Sequence, residues 1–334
     1  MPRTDSDTIN LSASEAAEVA TSALLYIGLD DEESETIAAH LVDCELMGYP
    51  ALGLSRVLTI AEYPLTRQPR SPITITHETP VSARIDGGNH IGMYAIRWAT
   101  EIAIDKAKAE GFALVGARNS FLSGRNAYYL DLIAEAGFVG LHLASGKPVV
   151  APLGGAASAF GTNPIAFGMP HKPHPLIFDF ATSATNYGAL ILASRLGHDL
   201  PEGVAIDADG QPTRDPVATL AALAGAILPL GGYKGSALSF AIQALGLLGG
   251  AALTHGESQD FGFLFIVFDP SLLMPAAAFQ VHLDDLIARV KATPRLPGFE
   301  EIRIPSERAY AERERRRVDG IDLPLAIYDQ VKSL

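Results

Sequence analysis

The sequence predicts an α/β protein with an N-terminal helical region. First, helical apolar spacing alternates with short apolar runs of strand length through the middle of the chain, the pattern of helices layered on a sheet. Second, 48% of the 334 residues are hydrophobic and 19% are charged, ample for a large buried core. Third, 31 glycines and 22 prolines are spread through the chain, where they mark turns between elements rather than a disordered tract.

Residues 12–15 read Ser-Ala-Ser-Glu, an S-x-x-E capping box ahead of an alanine-rich helix that stops at Gly28. A second helix starts at Asp30 or Asp31, with Ile37, Leu41, Cys44 and Met47 at helical spacing and Gly48 as its stop. A looser segment runs to Ser71, and residues 72–76 predict a short strand with Ile73 and Ile75 on one face. Asp86-Gly87-Gly88 predicts a turn. A helix over 93–110, a strand over 112–117, a helix over 128–136 and a strand over 139–144 follow, then apolar runs at 164–169 and 176–180. After Gly235 the pattern gives a buried apolar helix to about Leu248, a strand over 263–268, a helix over 283–291 and a charged surface helix over 306–317. We divide the chain into an N-terminal helical region (1–76), a central α/β region for cofactor and substrate (77–260), and a C-terminal strand and helices packing back on the core (261–334).

A net charge of −13 repels phosphate backbones and argues against nucleic acid. Residues 1–10 carry no apolar signal-peptide core, and the long apolar stretch after Ser236 contains Gln243 and several glycines, so neither secretion nor a membrane span is expected. The single cysteine, Cys44, cannot form an intrachain disulfide and fits a core position; the expected location is the cytoplasm. The nine histidines show no H-x-x-x-H spacing and there is no C-x-x-C, so no metal site is expected. G-x-G-x-x-G, the P-loop and G-x-S-x-G are all missing.

Three small-residue segments remain: Ala151-Pro152-Leu153-Gly154-Gly155 with Gly161-Thr162-Asn163-Pro164; Asp179-Phe180-Ala181-Thr182-Ser183; and Leu230-Gly231-Gly232-Tyr233-Lys234-Gly235 opening a helix. Such loops let backbone N–H groups approach phosphate oxygens, and each taken alone also reads as an ordinary turn. In this order, GTNPIAFGMP, IFDFATSA, LPEGVAIDADGQPTRDP and PLGGYKGSAL resemble the malate/L-lactate dehydrogenase family over nearly the whole chain. The resemblance implies a non-Rossmann NAD(P)-binding fold with a mixed sheet, NAD or NADP as cofactor, a small carboxylate-bearing substrate and a homodimer.

Carried over by position, the cofactor loop is Ile177, Phe178, Asp179, Phe180, Ala181, Thr182 and Ser183. Tyr233 and Lys234 form a second cofactor pair, and Pro305, Ser306 and Glu307 a third, where the family usually has Pro-Gly-Glu. If that position needs a positive φ, serine there is costly. Arg56 matches an arginine whose guanidinium can clamp a carboxylate; its other reading is a surface arginine. Ser145 falls where a relative holds substrate with a serine, and Ser120 sits in a second active-site segment. For both serines an ordinary structural hydroxyl is the alternative.

The resemblance also exposes two departures. Where the family commonly shows G-H-x-S-H-G, this chain reads Gly48-Tyr49-Pro50-Ala51-Leu52-Gly53; where it shows N-S-x-H-F-G, the chain reads Asn119-Ser120-Phe121-Leu122-Ser123-Gly124. Leucines 52 and 122 cannot exchange protons. Reduction of a ketone needs a positioned acid, typically contributing about 10²–10⁴-fold, whereas an imine can arrive already protonated. The sequence therefore favours an NAD(P)H-dependent reductase of a carboxylate-bearing imine or 2-oxo acid. Tyr49, Ser123, Tyr128 and His142 are candidate substitute acids, Arg125 a second anion contact, and a catalytically silent or non-redox member the alternative.

Overall fold

The computed structural model describes residues 7–220, 225–253 and 260–334. A seven-stranded mixed sheet with order β2-β3-β4-β11-β5-β6-β7 organises the chain. Its strands are β2 (Thr74–Thr79), β3 (Ser82–Ile91), β4 (Phe112–Phe121), β5 (Val139–Ser145), β6 (Ile165–Met169), β7 (Leu176–Phe180) and β11 (Gly262–Phe268). Within this sheet, among the described residues, only β3 and β4 pair in parallel, joined by the helix α4 (Gly92–Glu110), as a parallel crossover requires. The C-terminal region contributes β11 to the middle of this sheet, where it pairs antiparallel with both β4 and β5.

Alternation along β11 separates two layers. Phe263, Phe265 and Val267 join the core under α4 and α5 (Asn126–Glu135), with Ile96, Ala99, Ala103 and Ala107 of α4 buried as the periodicity predicts. Leu264 faces the other way, packing with Ile242 of α8 (Tyr233–Gly249). A second core lies under α1 (Ala13–Tyr26), α2 (Asp31–Leu46) and α3 (Ser55–Glu62). Ser12 and Glu15 form the predicted reciprocal capping box on α1, and Asp30 caps α2 through the Glu33 N–H at 2.8 Å. Cys44 is fully buried on α2 and burial pushes its thiol up to about 12, so it is an inert core residue.

The chain ends meet: β1 (Thr8–Leu11) pairs antiparallel with β12 (Ile321–Pro324), next to α11 (Leu325–Lys332). A small sheet of β8 (Ala205–Ile206), β9 (Pro212–Thr213) and β10 (Ala226–Ile227) sits with α6 (Tyr187–Leu196) and α7 (Pro216–Leu220). α9 (Ala276–Lys291) and α10 (Glu307–Asp319) complete the described elements.

Four local expectations are corrected. The first strand runs over Thr74–Thr79, so Ile73 lies outside it, packed against the core, while Ile75 is exposed just before a bulge in the pairing with β3. Asp86-Gly87-Gly88 is not a turn between elements. Asp86 Oδ1 accepts the Gly88 N–H at 3.0 Å, Gly88 and Asn89 take positive φ, and pairing with β4 resumes at His90 after this irregularity. The looser segment before Ser71 contains α3, whose eight residues are too short for a clear period. Finally, α8 is buried only along its Gly235, Ser239, Ile242, Gly246 and Gly249 stripe, while Phe240 is 66% and Leu248 71% exposed. Small residues let this face lie against the sheet and turn the large apolar side chains outward.

Candidate active site

One cleft of about 590 Å³ gathers most of the sequence candidates. Tyr49, Arg56, Ser145, Pro305 and Ser306 line it, as do Ile177, Phe178, Asp179, Phe180, Ala181 and Ser183. Its size lies within the range of small-molecule and cofactor pockets.

Arg56 enters from the first turn of α3 and is only 6% exposed. Its Nε and Nη1 are buried without a hydrogen-bond partner among the described residues. Burial pushes its pKa down to about 10, with the Tyr187 side chain opposing that shift. A guanidinium enclosed without a carboxylate is costly, and an anion entering the cleft would relieve that cost. The surface-arginine alternative does not hold.

Leu52 and Leu122 both line the same cleft. Leu122 is buried and held at φ 58°, a left-handed conformation unusual for a side chain of this size. The two leucines singled out in the sequence therefore act on one cavity.

The cofactor-like segment reaches the cleft from the last strand of the sheet. Asp179 keeps accessible surface toward the cavity, yet its carboxyl group is enclosed and accepts the Ala127 N–H at 2.8 Å. It thereby caps α5, whose own N-cap Arg125 offers no side-chain bond. Desolvation raises its pKa, opposed by that N–H and by Arg125. Thr182 is fully buried and lies outside the lining; its hydroxyl donates to the Asn163 carbonyl at 3.0 Å and pairs with Ser239 Oγ on α8 at 2.7 Å. Ser306 sits at φ 69°, so this position does require the left-handed region. Its hydroxyl donates to the Ile177 carbonyl at 2.7 Å, offsetting the strain and tying the 305–307 turn to the cofactor-like strand. Ser306→Ala keeps the strain and removes the bond, so a loss of about 1 kcal/mol, or roughly 2–4 °C in Tm, is expected from thermal unfolding; an unchanged Tm would show that the bond contributes nothing.

Most of the other candidates lie outside the lining. Ser120 is fully buried on β4 and donates to the His90 carbonyl at 2.8 Å, a strand-to-strand tie away from the cleft. Tyr233 and Lys234 are exposed at the start of α8, outside the lining, although neighbouring Leu230 belongs to it. Glu307 accepts the Ile304 N–H at 2.9 Å and pairs with Lys291. Ser145 lines the cleft while bonding both the N–H and the carbonyl of Gly262 at 3.2 Å.

The substitute acids separate in the same way. His142 is enclosed between strands, hydrogen-bonded to the Leu264 carbonyl, with burial pushing its pKa down to about 3. Tyr128 packs at a tilt of 42° against buried His40, with ring centres 4.4 Å apart. Arg125 lines the cleft but is held by Asp43 at 2.5 Å, and its guanidinium lies 5.5 Å from the Tyr49 ring centre. Ser123 lines the cleft as well. Sequence reasoning missed Lys147, which lines the cavity between the rings of Tyr63 and Tyr187. Its signal was present: a lysine two residues beyond an apolar strand, in Ser145-Gly146-Lys147.

The family model for malate/L-lactate dehydrogenase matches residues 11–332. L-sulfolactate dehydrogenase from Methanothermobacter thermautotrophicus is 33% identical, with 98% of this chain and 96% of the relative covered. Delta(1)-pyrroline-2-carboxylate reductase from Ancylobacter novellus is also 33% identical, covering 98% and 97%. The crystal structure of malate dehydrogenase from Entamoeba histolytica superposes with a TM-score of 0.87 at 26% identity, covering 98% of this chain and 97% of that one. The fold, the ordered motifs and these likenesses together place the chain in the malate/L-lactate dehydrogenase family, among dehydrogenases and reductases.

Proposed function

We propose that the protein is an NAD(P)H-dependent oxidoreductase that reduces a small carboxylate-bearing imine or 2-oxo acid. The observation that carries this reading is Arg56, an enclosed guanidinium without a partner on two of its nitrogens, in a cleft whose other wall is the cofactor-like strand. Arg56 holds the substrate carboxylate through paired N–H donors and fixes the adjacent carbon. Leu52 and Leu122 keep the reacting end apolar and exclude water.

The wall also suits a nicotinamide. Asn126 has both amide atoms buried and unpartnered, and Asn163 its Oδ1, and both residues line the cleft, so hydroxyl or carboxamide groups would satisfy them. Residues 177–183 and 305–307 would hold the cofactor, with Gly231, Gly232, Tyr233 and Lys234 at an N-terminus of α8 that no side chain caps. Bound there, the nicotinamide supplies the hydride. A second copy of this chain would cover the apolar face of α8, where Tyr233, Phe240, Leu247 and Leu248 are exposed. The cytoplasm is the location assigned. Loss of proton-exchanging groups at positions 52 and 122 favours a second reading, a silent or non-redox member that binds nucleotide or a protein.

Fluorescence titration with NADH and NADPH, then absorbance loss with a panel of 2-oxo acids and cyclic 2-imino carboxylates, tests the reading. Consumption of one cofactor with either substrate class supports it. Tight cofactor binding without turnover selects the second reading, and no binding ends the cofactor assignment.

A further inference from the structure

The cleft contains a second cation that carboxylate binding leaves unused. Lys147 Nζ lies 5.0 Å from the Tyr63 ring centre and 4.9 Å from that of Tyr187. Tyr63 follows α3, which carries Arg56, and Tyr187 opens α6, so the ammonium is held between two elements that wall the cavity. The rings stabilise its position.

A carbonyl reduced by hydride leaves an electron pair on oxygen that must take up a proton. The two guanidinium groups in the cleft, Arg56 and Arg125, do not release theirs. No histidine lines the cavity among the described residues. The Asp179 carboxyl group is engaged by the Ala127 N–H, and burial pushes the Tyr187 hydroxyl up, making it a poorer acid. Lys147 is the remaining nitrogen acid, and desolvation, then the charge of Arg56, moves its pKa downward.

We propose that Lys147 is the catalytic proton donor in the reduction of a carbonyl substrate. Hydride from the reduced nicotinamide forms the new C–H bond, and the carbon–oxygen π pair moves onto oxygen. That oxygen takes a proton from the Lys147 ammonium, leaving a neutral amine that is reprotonated by water. The proposal rests on the reductase reading and restores a 2-oxo acid as a workable substrate despite leucines at positions 52 and 122. An iminium substrate brings its own proton and makes no such demand on Lys147.

The test compares pyruvate and related 2-oxo acids with Δ1-pyrroline-2-carboxylate. Lys147→Met is expected to lower kcat on the 2-oxo acids by about 10²–10⁴-fold with little change in KM, and to lower imine reduction by less than about tenfold. Lys147→Arg keeps the charge but releases no proton, and the same selective loss is expected. Tyr26→Phe, which removes an exposed hydroxyl outside the cleft lining, is expected to spare both substrates.

A second readout uses wild-type protein without cofactor. Lysines are dimethylated with ¹³C-formaldehyde and the Lys147 resonance is followed with pH by NMR. The charged and titratable groups facing it are Arg56, Tyr63 and Tyr187, with Asp260 acting on Tyr63. A midpoint below those of the exposed lysines is expected, and one at or above them overturns the proposal. Full 2-oxo acid activity in Lys147→Arg, or equal losses on both substrate classes, overturns it too and leaves the reductase reading standing. A wild type that turns over neither class with either cofactor overturns both.

Discussion

Replacing Arg56 with methionine is expected to weaken carboxylate binding by on the order of 10²-fold while raising the Tm of the ligand-free protein. The two effects have one cause. The guanidinium is enclosed, two of its nitrogens lack partners among the described residues, and Lys147 adds a like charge in the same cleft. In the empty protein this is an unfavourable burial, and a methionine of similar length removes it; replacing buried charges with apolar side chains can stabilise by about 1–4 kcal/mol. With a carboxylate present the balance reverses, because charge-assisted hydrogen bonds contribute about 1.5–3 kcal/mol each and methionine offers none. Calorimetry with pyruvate or oxamate, alone and with NADH, reads the first effect, and thermal unfolding without ligand reads the second. A variant that melts several degrees lower would assign Arg56 to the fold rather than to substrate.

Gly249→Val is expected to cost about 3 kcal/mol or more, lowering Tm by on the order of 5–10 °C. α8 crosses the sheet with glycine against backbone: a Cβ on Gly249 would lie 2.5 Å from the Phe263 carbonyl oxygen and 3.3 Å from that of Ala117. These are backbone atoms of β11 and β4, which cannot rotate aside as a side chain can. On the same helix, a Cβ on Gly246 would fall 2.1 Å from Ser145 Oγ. Lifting α8 would also strain the Ser239–Thr182 hydroxyl pair and the Asn163 amide bond to the Ser239 carbonyl, so the cleft wall should loosen with the fold. Circular dichroism melts and hydrogen exchange at residues 177–183 check this, and an unchanged Tm would mean that α8 does not rest on the sheet as described.

Much of the local structure was legible because local chemistry dictates it. Ser12 and Glu15 cap α1, the 3.6-residue period of Ile96, Ala99, Ala103 and Ala107 placed α4, and 176–180 read directly as a strand. The cleft was legible only through ordered motifs, which brought Arg56, Ser145 and Ile177 to Ala181 to one cavity. Position in a motif could not separate Ser145 from Ser120, since both are hydroxyls near strand ends and only packing decides which strand end opens to the cavity.

By itself the sequence determined the α/β class, the helix caps, the inert cysteine and the family motifs, all of which follow from residue type and spacing along the chain. The tertiary structure decided what depends on contacts between distant segments. It enclosed Arg56 with two of its nitrogens unpartnered among the described residues, turned the large apolar face of α8 outward, and set a serine in the left-handed region with a bond to Ile177. It also drew Lys147 between Tyr63 and Tyr187, residues 84 and 40 positions away in the chain. Desolvation and electrostatic coupling are properties of surroundings, and those surroundings exist only once the sheet has brought the segments together.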